Sequence, residues 1–121
     1  MDLGIKGKRA IVCASSKGLG LGCALSLAEA GVDLIINSRN SQNLESAASL
    51  LKSKYQVHVE TVVADITTKE GQESILKKAE NNLDILVTNA GGPPPGLWSD
   101  WNRSDFILAL DANMLTPIAL M

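Results

Sequence analysis

The run Ala14-Ser15-Ser16-Lys17-Gly18-Leu19-Gly20 sets three small side chains and a lysine ahead of two glycines. Backbone amides in such a turn have little bulk around them, and where the turn opens a helix, the helix's positive end can face a pyrophosphate. A glycine pair alone is as readily an ordinary turn. Here an apolar run precedes it and a helical pattern follows, which is the setting in which dinucleotides bind. The next apolar run ends about 20 residues on, in Asn37-Ser38-Arg39. A carboxylate at that place would accept hydrogen bonds from the ribose 2′-hydroxyl of NAD, whereas an arginine accommodates the 2′-phosphate of NADP. Ser38 brings no carboxylate, Arg39 offers a planar cationic fork, and Lys17 adds a second cation. NADP(H) is therefore the expected cofactor, against the plainer reading of two solvated surface charges.

Other reactive side chains find no obvious partners. His58, the one histidine, alternates with valines and has no serine or aspartate placed to work with it, so it reads as a surface strand residue. Cys13 and Cys23 lack CxxC spacing and lie in apolar periodic segments, so both are expected to be buried free thiols without chemistry. No metal site is assigned.

These residues need elements to hold them. Arg9 to Ala14 reads as a strand, and Leu19, Cys23 and Leu27 recur at helical spacing up to Gly31. Asp33 to Asn37 is an unbroken apolar run, as a parallel strand covered on both faces requires. A helix follows from about Ser41 with Leu44, Ala48 and Leu51 on one side. Val57 to Ala64 is a valine-rich third strand, and Thr67 with Glu70 forms a capping box that opens a helix through about Glu80. Leu83 to Thr88 is the fourth strand. Asn89 to Gly96, with its glycines and three prolines, is a loop, and Asn102 caps a last helix carrying Phe106, Leu110 and Leu115. This alternation implies βαβ units with right-handed crossovers. The predicted fold is α/β, a Rossmann-type doubly wound parallel sheet with four strands in the order 3-2-1-4. The six-stranded order 3-2-1-4-5-6 then makes residues 1–121 an NADP(H)-binding N-terminal half, with the catalytic half outside them.

The glycine turn resembles the Thr-Gly-x-x-x-Gly-x-Gly motif of the short-chain dehydrogenase/reductase family. Gly18 and Gly20 match, while Cys13 stands at the threonine and Ala14 at the first glycine. A positive φ at Ala14 would cost about 1 kcal/mol. Ser38 matches the family's acidic position. Asp65, in Val63-Ala64-Asp65-Ile66, matches the carboxylate that accepts from the adenine amino group, although by itself it would be a loop-capping aspartate. Thr88-Asn89-Ala90-Gly91 resembles the family's Asn-Asn-Ala-Gly signature beside the nicotinamide ribose, with Thr88 for the first asparagine. Asn113 matches the family's helix asparagine, which helps hold a water near the catalytic lysine; a buried structural asparagine is the alternative. Pro117 has no N–H for the carbonyl of Asn113, so a kink is expected there.

Gly92-Pro93-Pro94-Pro95-Gly96 looks like a β-ketoacyl-carrier-protein-reductase-like subgroup. Trp98 and Trp101 beyond it are expected to pack the loop in preference to lining a substrate entrance. The family's serine and Tyr-x-x-x-Lys are not found: Tyr55, the one tyrosine, has Val59 at the lysine spacing. The resemblance implies an oxidoreductase that moves a hydride between NADPH and a carbonyl or alcohol, a ketone or an acyl thioester, with residues 1–121 inactive alone. A non-catalytic NADP-binding sensor or scaffold is the alternative.

Composition bounds the remaining possibilities. With 121 residues, 45% hydrophobic and 20% charged, the chain can bury a core. A formal charge of −2 and 3% aromatics argue against nucleic acid as a partner. No apolar run approaches the roughly 18 residues of a membrane span and no signal peptide is legible, so a cytoplasmic location is expected. An unguarded fourth strand and an apolar last helix (Phe106, Leu110, Leu115, Ile118) predict a partner on those surfaces, a homo-oligomer's second copy or a remaining C-terminal segment.

Overall fold

Four short runs pair as parallel strands in the computed structural model, which describes all 121 residues. The strands are β1 (Arg9–Val12), β2 (Asp33–Ser38), β3 (Val59–Val63) and β4 (Ile85–Val87). Their order is β3-β2-β1-β4, with Val12 opposite both Ile36 and Val87 and with Ser38 opposite Val63. The expected 3-2-1-4 order is thus the order found. Helices α1 (Gly18–Glu29), α2 (Ser41–Lys54) and α3 (Lys69–Ala79) connect the strands, and α4 (Arg103–Leu110) follows β4.

The sheet is buried on both faces, and alternation along the strands divides the core in two. Ala10, Val12, Leu34 and Ile36 pack with Ala24, Ala28, Leu44, Ala47, Ala48 and Leu51 of α1 and α2. Ile11, Cys13 and Ile35 face the other way, onto Ile66, Ile75, Ala79 and Leu120. Arg9 ties the lower edge together: its guanidinium donates to the carbonyls of Ala79 (2.9 Å) and Lys78 (3.1 Å) at the end of α3, and to Glu60 Oε2 at 3.2 Å. A cation there complements the carbonyl end of the helix and supplies the Lys78 carbonyl with a donor, while the Ala79 carbonyl also accepts from Asn82 N at 2.9 Å.

Several expectations are corrected by long-range structure. The strands are shorter than their apolar runs: β1 leaves the sheet at Ala14, where φ is +48°, and ladder pairing of β3 starts only where the His58 carbonyl accepts from Leu34 N at 2.8 Å. His58 is exposed, but it precedes β3 rather than lying within it. On α1 the buried line is Gly20, Ala24 and Ala28, while Leu19 and Cys23 are exposed. Small residues let the helix backbone approach the sheet, so of the bulky row at the same spacing Leu19 and Cys23 face outward and only Leu27 packs partly on the core. Only Cys13 is a buried thiol.

The cap of α3 is Thr68, whose hydroxyl accepts from Gly71 N at 3.0 Å. Thr67 is unavailable for that task because its hydroxyl and its amide both donate to Asp65 Oδ1, at 2.6 and 3.0 Å. Asn102 does cap α4, accepting from Asp105 N at 3.1 Å while Asp105 Oδ2 accepts from Asn102 N at 2.9 Å. The disturbance expected at Pro117 takes the form of a π turn, Asp111–Leu115, before the short α5 (Thr116–Leu120). Wider winding ahead of the ring relieves its clash with the preceding turn and absorbs the lost donor.

Candidate nucleotide cleft and the cavity beside it

The carboxyl ends of all four strands open into one cleft of about 580 Å³, at the switch point where the chain crosses from one side of β1 to the other. It is lined by Ala14, Ser16, Lys17, Gly18 and Leu19 from the first turn, by Ser38 and Arg39 after β2, and by Ala64, Asp65 and Ile66 after β3. Asn89, Ala90 and Gly91 after β4 complete it. Of the residues that the sequence patterns single out for the nucleotide between 14 and 91, all but Ser15 and Gly20 are brought together on this cleft.

Two residues expected in the cleft stand behind it. Ser15 is fully buried; its hydroxyl donates to the Val12 carbonyl at 2.7 Å and accepts from Asn37 N at 3.1 Å. Gly20 is buried under the turn, where a Cβ would collide with the Ala14 carbonyl and come within 2.8 Å of Asn89 Nδ2. That same Asn89 amide donates to the Ala14 carbonyl at 3.2 Å. Ala14, Gly20 and Asn89 thus interlock: the carbonyl turned inward by the positive φ is held by one and given room by the other.

Asn37 was not singled out from the sequence, yet it organises the floor. Buried at the end of β2, it donates from Nδ2 to the carbonyls of Val62 (3.0 Å) and Ala64 (3.1 Å), and its backbone carbonyl accepts from Ser15 N at 2.8 Å. The available signal was a lone amide closing an otherwise apolar strand, a residue that must find partners when buried. Thr67, Leu108, Asp111 and Ala112 also reach the cleft without having been expected there.

The start of α1 carries a second clue. Asn40, Thr68 and Asn102 cap α2, α3 and α4 with side-chain oxygens, but Lys17 at the head of α1 provides no side-chain cap. The uncapped helix end is the one that faces the cleft, so its first amides are available to an anion. Gly18 has φ +60° with open space beside it, and Gly91 is likewise unobstructed. Lys17 and Arg39 are both exposed on the cleft wall. The Thr67 hydroxyl and then its amide hold the Asp65 carboxyl below the usual aspartate range, with a smaller contribution from the Arg39 charge.

Asn113 lies outside this cleft. It lines a neighbouring cavity of about 600 Å³ formed by the Gly91–Gly96 loop with Trp101, Asp105, Phe106, Leu108, Ala109 and Ala112. The two spaces share Gly91, Leu108 and Ala112. Asn113 Nδ2 donates to the Ala109 carbonyl at 2.9 Å, and the residue is exposed rather than buried. Trp98, expected to pack the loop, is 81% exposed. Trp101 does pack, edge against Gly96, and also forms a wall of the cavity. No group of three or more His, Cys, Asp and Glu side chains is placed to hold a metal.

Residues 8–121 match the short chain dehydrogenase family model, and the chain belongs to that family. The oxidoreductase YvaG of Bacillus subtilis is 32% identical over 99% of this chain and 46% of its own length. The 3-oxoacyl-[acyl-carrier-protein] reductase FabG of Rickettsia prowazekii is 31% identical over 91% of this chain and 44% of its own. Among solved structures, L-sorbose reductase from Gluconobacter frateurii, complexed with NADPH and L-sorbose, superimposes with a TM-score of 0.92 at 30% identity, over 99% of this chain and 47% of that one. The chain therefore spans about half the length of the relatives it matches.

Proposed function

We propose that residues 1–121 are the NADP(H)-binding portion of a reductase that transfers a hydride between NADPH and a carbonyl substrate, a ketone or a 3-oxoacyl thioester. The observation that carries this reading is that Lys17 and Arg39 both line the cleft, with Ser38 where an acid would repel a 2′-phosphate. In this reading the two cations grip that phosphate. The uncapped start of α1 with Gly18 takes the pyrophosphate, and Asp65, held ionised by Thr67, accepts from the adenine amino group. Asn89, Ala90 and Gly91 leave backbone access for the nicotinamide ribose. When bound, NADPH supplies the hydride. Asn113 contributes by holding a water near the reacting end. Tyr55 takes no part: it caps the far end of α2 and packs on the core.

No helix is long and apolar enough to cross a membrane, and we assign the protein to the cytoplasm. β4 lies at one side of the four-strand sheet, and Phe106, Leu110, Leu115 and Ile118 are about half exposed, so we place a covering partner on these surfaces, either a second copy of the chain or the segment that continues the six-stranded order.

Parallel titrations with NADPH and NADH test the assignment. NADPH should bind more tightly, and Arg39→Ala should weaken it about 10- to 100-fold, or about 1 to 3 kcal/mol, while sparing NADH. Equal losses for the two nucleotides would refute the role of Arg39.

A further inference from the structure

We propose that Thr67 is a positioning residue that selects the base of the dinucleotide: by occupying one oxygen of the Asp65 carboxyl with two donors, it leaves the other to accept from an aminopurine and to refuse an oxopurine. The proposal rests on the reading of the cleft as the nucleotide site. It begins with the division of duties between two adjacent threonines. Thr68 serves the backbone: its hydroxyl caps α3 through Gly71 N and also donates to the Asp65 carbonyl at 2.8 Å. Thr67 serves the side chain. Its hydroxyl and its amide both donate to Asp65 Oδ1, at 2.6 and 3.0 Å, and the hydroxyl makes no other bond. A carboxylate that accepts at 2.6 Å is in the range of short, charge-assisted hydrogen bonds.

The turn beneath the carboxyl is fixed separately. The Asp65 carbonyl also accepts from Thr68 N at 3.1 Å, and the Ile66 carbonyl accepts from Gln72 Nε2 at 3.1 Å. A Cβ at Gly71 would collide with the Asp65 carbonyl, so the turn lies directly on the start of α3. Every bond that fixes the carboxyl thus falls within residues 65–72. Asp65 and Thr67 both line the cleft, and within the chain no donor engages Asp65 Oδ2. The two oxygens therefore differ: Oδ1 is saturated by Thr67, and Oδ2 is the acceptor left for a ligand. The Thr67 hydroxyl and then its amide also keep the carboxyl ionised, so it has lone pairs to offer and no proton. An amino group on the purine satisfies Oδ2, whereas an oxo group in the same place sets two unpaired acceptors against each other. The N–H of an oxopurine lies at the next ring atom. To meet it, Oδ2 would have to move along the base edge, which the bonds at Oδ1 resist.

Calorimetric titration with NADPH and with reduced nicotinamide hypoxanthine dinucleotide phosphate compares the two bases. NADPH should bind about tenfold more tightly. Asp65→Asn is the sharper test. Thr67 holds the oxygen of the new amide, so its NH2 group takes the place of Oδ2, and the preference should invert to hypoxanthine by about threefold or more. Thr67→Val should cut the original preference to about threefold or less, and in the double variant, where nothing orients the amide, the inversion should vanish. Thr67→Ser keeps the hydroxyl and should keep the original ratio. Were Thr67 only a support for the turn, its loss would weaken both dinucleotides alike. Circular dichroism verifies folding, and Thr67→Ala serves where Thr67→Val is not folded. Equal binding of the two dinucleotides, an unchanged ratio in folded Thr67→Val, or an adenine preference retained by Asp65→Asn would each overturn the proposal and leave the cleft reading in place. Binding of neither dinucleotide by the unsubstituted chain would refute both.

Discussion

Replacing Ala14 by glycine should make the protein more stable, although the change removes a methyl group next to the functional cleft. Ala14 sits at φ +48°, in the left-handed region where a Cβ crowds the following carbonyl at a cost of about 1 to 2 kcal/mol. Glycine relieves that strain. Against it stand the partial burial of the methyl, worth less than the roughly 0.8 kcal/mol of a fully buried carbon, and the greater freedom of glycine in the unfolded chain. The net gain expected is about 0.5 to 1 kcal/mol. Unfolding entropy of about 2.1 cal/mol/K per residue gives about 0.25 kcal/mol/K for a chain of this length, so Tm should rise by about 2 to 4 °C. Thermal unfolding followed by circular dichroism measures it.

Gly20→Ala is the matched opposite, because there the objection is space rather than dihedral angle. The new methyl would collide with the Ala14 carbonyl and displace Asn89 from it, at about 1 to 3 kcal/mol. A fall in Tm for Ala14→Gly would refute the strained turn, and an unchanged Tm for Gly20→Ala would refute the interlock.

Four further outcomes are expected. A thiol reagent should modify Cys23 rapidly and Cys13 only on unfolding. Burial pushes the Cys13 thiol up from 9.0 to about 11, so its contribution to stability is complete below about pH 9 and is lost as pH rises toward 11; Cys13→Ala should remove that part of the alkaline decline in Tm. Arg9→Ala should cost about 1 to 2 kcal/mol in chemical denaturation, mostly through loss of the charge-assisted bonds to the Ala79 and Lys78 carbonyls, since the partly exposed pair with Glu60 contributes little. Light scattering of residues 1–121 should show association that grows with concentration, and a stable monomer at high micromolar concentration would refute the assembly reading.

How much of this could be read in advance depends on the range of the interactions. Strand and helix types were legible because Leu34, Ile35 and Ile36 in succession, or Leu44, Ala48 and Leu51 at helical spacing, report burial through local periodicity alone. The cleft-lining residues were legible for a related reason: glycines, Lys17 and Arg39 follow strand ends, and strand ends in a parallel sheet converge on one edge. The burial expected of Cys23 failed because two rows share the spacing of α1, and periodicity does not say whether the sheet accepts bulky residues or only Gly20, Ala24 and Ala28.

By itself, then, the amino-acid order determined the βαβ alternation, the strand order that follows from right-handed crossovers, and the cations at the cleft. The tertiary structure alone decided which side chains hold the cleft in shape. Ser15 bonds to Asn37 across 22 residues, Asn37 to Ala64 across 27, and Asn89 to Ala14 across 75. It also decided that Thr68 rather than Thr67 caps α3, because Asp65 claims Thr67 first, and that Trp101 faces a cavity while Trp98 faces solvent. In each case the choice is a competition for one partner or one volume, and a competitor distant along the chain leaves no periodic trace near the residue it displaces.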